Sequence, residues 1–134
     1  MTFLVIRLNL LAILITGGTP NDQSKSVEIF RTDGTPLSSC EIPDLPDDRR
    51  LHTQIGTMIC GGGDTNETSL SCLNFASNAW NVMAFKLKFR RMGHVSWQSK
   101  KGMVFLGGID SMNTTELVNN EGSTEYFTLQ QPIL

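Results

Sequence analysis

The chain has 134 residues, 40% of them hydrophobic and 18% charged, which suits the core of one ordinary domain. A formal charge of -2 leaves no field of one sign, so electrostatics gives no case for nucleic acid or an anionic membrane as partner. The local imbalances are an acidic run, Glu41, Asp44, Asp47 and Asp48, and a basic one, Lys86, Lys88, Arg90, Arg91, Lys100 and Lys101. Both read as solvated strand edges and loops.

The N-terminal "MTFLVIRLNLLAILITGG" is apolar, but its uninterrupted core, Leu10 to Ile15, is too short to span a bilayer, and Arg7 and Asn9 interrupt what precedes it. A signal peptide fits it only loosely. The favoured reading is a buried strand over Leu11 to Thr16 that ends on Gly17-Gly18.

The same object returns twice. "TMICGG" (Thr57 to Gly62) and "MVFLGG" (Met103 to Gly108) are also apolar runs ending in a glycine pair, and the pairs at Gly17, Gly61 and Gly107 recur at roughly 45 residues. A second marker shares that period: Arg49 and His52, then Arg91 and His94, both spaced R-x-x-H. Three units follow, about 1–48, 49–90 and 91–134.

Each unit reads as strands. After the glycine-ended strand and a polar loop come Ser26 to Phe30, Leu70 to Phe75 and Thr114 to Val118. Turn residues close these segments at Asp33-Gly34, Ser77-Asn78 and Glu121-Gly122. Further extended pieces follow at Asn78 to Leu87 and Thr124 to Leu129. No window shows a helical stripe, so the fold class expected is all-β.

Chemistry-bearing groups are sparse. "GGGDT" lacks the Gly-Lys-Ser/Thr ending of a phosphate loop and opens no helix, so its glycines read as a strand ending that needs small residues. His52 and His94, the only histidines, hold equivalent places in successive units rather than one site, which argues against a shared metal or a catalytic dyad. Arg49, His52, Arg91 and His94 read as structural, the guanidinium donating to carbonyls at strand ends and the imidazole bridging strands. Arg91 is the first choice for a buried role. Cys60 and Cys72 lie on successive predicted strands, where a hairpin would bring them within disulfide range; two buried thiols are the alternative, and Cys40 is left over. The triplets at Asn66 and Asn113 are glycosylation sequences in corresponding loops, and with the cysteines they lean towards an extracellular compartment.

Glycine doublets, a hairpin, Trp80 and an R-x-x-H leading into the next unit resemble the kelch repeat. "CEIPDLPDDRRLHT", "CGGG", "SCL" and "TTEL" resemble a secreted, cysteine-bearing invertebrate subgroup of that family. The first unit has no tryptophan. The resemblance implies an incomplete β-propeller ring of about three blades. It also implies a non-catalytic binding module without a cofactor, taking an unknown protein or glycan ligand and able to self-associate through open blade edges. Two alternatives stand beside it. One is an intracellular kelch-type substrate adaptor. The other is a galactose-oxidase-like enzyme, which the single tyrosine, Tyr126, and the placement of the histidines disfavour.

Overall fold

The computed structural model describes residues 2–7, 11–16, 25–31, 33–35, 42–63, 68–109 and 111–130. Every regular element among them is a strand, and the strands form three antiparallel sheets, none closed on itself. The first sheet is β1 (Thr2–Arg7), β2 (Leu11–Thr16) and β3 (Val27–Arg31). The second is β4 (Thr53–Ile55), β5 (Met58–Cys60), β6 (Ser71–Ala76) and β7 (Ala79–Lys86). The third is β8 (Val95–Ser99), β9 (Gly102–Leu106), β10 (Thr114–Asn119) and β11 (Thr124–Thr128).

Each sheet keeps its strands in chain order, so every connection joins neighbours and the sheets are meanders. Turn chemistry explains the tight reversals. Ser77 and Asn78 both have positive φ, 53 and 57 degrees, between the paired residues Ala76 and Ala79. This is a type I′ turn, whose twist matches the flanking strands.

The first strands of the sheets, β1, β4 and β8, contact one another in sequence. The middle sheet therefore has a neighbour on each side, which is why β5 is buried at all three residues. Ile59 and Leu73 pack with Leu45, Val27 and Trp80 towards the first sheet. Met58, Cys60 and Cys72 pack with Leu87, Phe105 and Val118 towards the third. Strand alternation splits β7 the same way, with Trp80 on one side and Met83 and Phe85 on the other. Side chains of the size of Phe105 and Leu73 each contribute about 2 to 3 kcal/mol when removed from water, so hydrophobic burial holds both joints.

The strands that the sequence reading placed are β2, β3, β5, β6, β7, β9, β10 and β11, with ends differing by a residue or two. The innermost strands β1, β4 and β8 are additional. Gly17, Gly18, Cys40 and Asn66 lie outside the described residues.

Candidate functional site

The two R-x-x-H segments build one device twice. Arg49 and Arg91 are fully buried, each just before the first strand of its sheet. Arg49 Nη1 donates to the carbonyls of Gly61 at 3.2 Å and Ser71 at 2.7 Å, and Nη2 donates to Ser71 Oγ. Arg91 Nη1 donates to the carbonyls of Gly107 at 2.6 Å and Thr114 at 3.0 Å, and Nη2 to Thr114 Oγ1 at 2.7 Å. In both units the guanidinium therefore ties the glycine that ends one strand to the hydroxyl residue that opens the next. Its fixed fork of donors suits three acceptors at once.

The counter-charges differ. Arg49 pairs with Asp47, two residues away and half exposed, at 2.7 Å. Arg91 pairs at 2.9 Å with Glu116, which is fully buried on β10 and also accepts the backbone amides of Lys88 and Phe89. Arg91 and Asp47 thus leave the solvated charge runs that composition suggested, because buried strand-end carbonyls and a buried cation need partners. Glu116 carries a role that the sequence reading missed; the signal available was a predicted buried arginine without a predicted anion.

The histidines close the joints between sheets. His52 Nε2 is 2.7 Å from Thr16 Oγ1 on β2, and His94 Nε2 is 2.7 Å from Thr53 Oγ1 on β4. Burial, seconded by the neighbouring guanidinium in each case, pushes His52 down from 6.5 to about 4 and His94 down to about 3. Both imidazoles are neutral at ordinary pH.

Backbone also crosses the joint between the second and third sheets. The Gly62 amide donates to Arg91 O at 2.7 Å, and the Gly93 amide to Leu51 O at 2.8 Å. Gly61 has φ +65, and a Cβ there would come within 2.6 Å of Arg91 O and 2.7 Å of His94. Glycine is needed at this place because the next unit's R-x-x-H segment lies against it.

Cys60 and Cys72 face each other across β5 and β6 at disulfide distance, Sγ–Sγ 2.03 Å and Cα–Cα 4.2 Å. Trp80 stacks obliquely on Phe75, centroids 5.1 Å apart, and its indole N–H donates to Pro43 O. Asn113 is exposed immediately before β10.

At the end of the sheets where β5 passes to β6, an open recess of about 510 Å³ is lined by Lys25, Asp47, Asp48, Ser69, Lys86 and Arg90, among others. It offers charges of both signs and hydroxyls, chemistry suited to a polar surface or a sugar. Among the described residues, no group of three or more His, Cys, Asp or Glu is placed to hold a metal ion, and no helix is long and apolar enough to cross a membrane. No protein-family model matches the chain, and no curated protein is significantly similar to it.

Proposed function

We propose that the protein is a kelch-type repeat module, an arc of β-propeller blades that binds a protein or glycan ligand outside the cell and performs no chemistry of its own. The observation that carries this reading is the in-phase recurrence of one device, a buried arginine joining a glycine-ended strand to its neighbour with a histidine closing the joint between sheets. Such units stack through their neighbours, and their loops are free to vary at the rim. The recess between Lys25, Asp48, Ser69 and Arg90 is the contact surface on this reading. The Cys60–Cys72 pair and the exposed sequon asparagine Asn113 support an oxidising compartment.

Peptide mapping of secreted protein without reductant tests the assignment. The expected result is a Cys60–Cys72 crosslink and glycan on Asn66 or Asn113. Free thiols and bare asparagines would instead favour the intracellular adaptor, and copper uptake with sugar oxidation would make the protein an enzyme.

A further inference from the structure

The open recess where β5 passes to β6 is more positive than its mixed lining suggests. Lys25, Lys86 and Arg90 share it with Asp47 and Asp48. Asp47, however, is held by the buried arginine: Oδ1 accepts from Arg49 Nε at 2.7 Å and Oδ2 from Arg49 Nη2 at 3.0 Å. Arg49 is fully buried, so its charge cancels that of Asp47 from behind. Among the described residues that line the recess, Lys25, Lys86 and Arg90 are then set against Asp48 alone.

Ser69 and Ser71, which line the same recess, add a directed donor. Their Oγ atoms lie 2.9 Å apart. Ser71 Oγ accepts from Arg49 Nη2, and Ser69 Oγ accepts the Ser71 amide at 3.1 Å. A hydroxyl has one hydrogen to give and two lone pairs to receive with. Whichever serine donates to the other, one hydroxyl hydrogen is left over and most of the lone pairs are filled. The equivalent hydroxyl of the third unit has no such remainder: Thr114 Oγ1 accepts from Arg91 Nη2 and donates to the carbonyl of Ser111 at 3.0 Å. Of the two units, only the second leaves a donor unmatched among the described residues, and it does so beside the cations.

We propose that this recess binds an acidic sugar, a ring bearing a carboxylate or a sulfate. The proposal rests on the reading of the recess as the contact surface of the module. The cations and the leftover hydroxyl hydrogen take the anionic group, since all of them donate, and hydrogen bonds to a charged acceptor are the strong ones. Asp48, an acceptor in the same recess, takes hydroxyls of the ring. An acidic peptide suits the place less well. Protein contacts are anchored by aromatic or large apolar side chains in dry pockets, whereas among the described residues only Pro46 and Leu70 bring apolar side chains to this open recess.

Isothermal titration calorimetry on the oxidised full chain is the test. The probes are a hyaluronan oligosaccharide, which carries carboxylates, a sulfated galactan oligosaccharide, which carries sulfates, and carboxyl-reduced hyaluronan, which carries neither. The expected result is saturable binding of one or both acidic sugars and none of the neutral one, the tighter of the two identifying the anion. Lys25→Glu and Lys86→Glu should each weaken that binding about tenfold or more with unchanged circular dichroism. Lys101→Glu, the same charge change in the turn between β8 and β9, should leave it unaltered. Equal binding of the neutral sugar, a loss with Lys101→Glu as large as with Lys86→Glu, or tighter binding of an oligoglutamate than of either sugar would each overturn the proposal. Peptide mapping of the Cys60–Cys72 crosslink and the sequon glycans tests the module assignment without any ligand. A chain that carries both and binds neither acidic sugar overturns the acidic-sugar proposal alone; a chain that oxidises the sugars overturns both.

Discussion

His52 and His94 each lie behind a guanidinium in a place closed to water, so protonation would set a buried positive charge beside another. The unfolded chain takes up those two protons as pH falls through about 6.5, while the folded chain holds out to about 4 at His52 and about 3 at His94. Between these limits the unfolded state binds more protons, so the histidine contribution makes stability rise with pH. It is fully present above 6.5 and is lost on acidification until the folded values are reached. Urea denaturation from pH 7 down to pH 4 should show this slope, and His94→Gln should flatten it. A slope unchanged in that variant would place the acid sensitivity elsewhere.

Two elements show how the repeat tolerates imperfect local chemistry. Leu51 adopts φ 53 and is 51% exposed, while the corresponding residue of the next unit is Gly93 at φ 66. The same backbone is required at both, because the Leu51 carbonyl accepts the Gly93 amide. A leucine there is strained, and Leu51→Gly should raise stability by about 0.5 to 1 kcal/mol, the relief exceeding the entropy cost of glycine. Thermal unfolding would register it as a small upward shift of the midpoint; a lower midpoint would mean that the exposed leucine packs more than it strains. The glycine doublets and R-x-x-H pairs were legible in the sequence because a residue required by close backbone approach must recur wherever the approach recurs. The innermost strands were not. Thr53–Ile55 is three residues long, and Val95–Ser99 alternates without a polar-out pattern, because its apolar Val95 and Trp97 are both exposed. Glu116 escaped notice for a related reason: in "TTELV" an acidic residue looks like the solvent side of an alternating strand, and only the placement of Arg91 turns it inward.

The molecule as a whole is held at two joints, one around Ile59 and Leu73 and one around Phe105 and Val118. Phe105→Ala should cost about 3 to 5 kcal/mol through lost burial and the cavity left behind, measured by chemical denaturation. A loss below about 1 kcal/mol would show that the second and third sheets do not depend on that cluster. The Cys60–Cys72 bond crosses neither joint, since both cysteines belong to the middle sheet, although their side chains pack in the cluster towards the third. Under mechanical load applied at the chain ends, neighbouring sheets are therefore free to come away from each other while the pair stays shut. It would keep the twelve-residue separation it spans out of the stretched length, about 40 Å of contour, until a reductant released it.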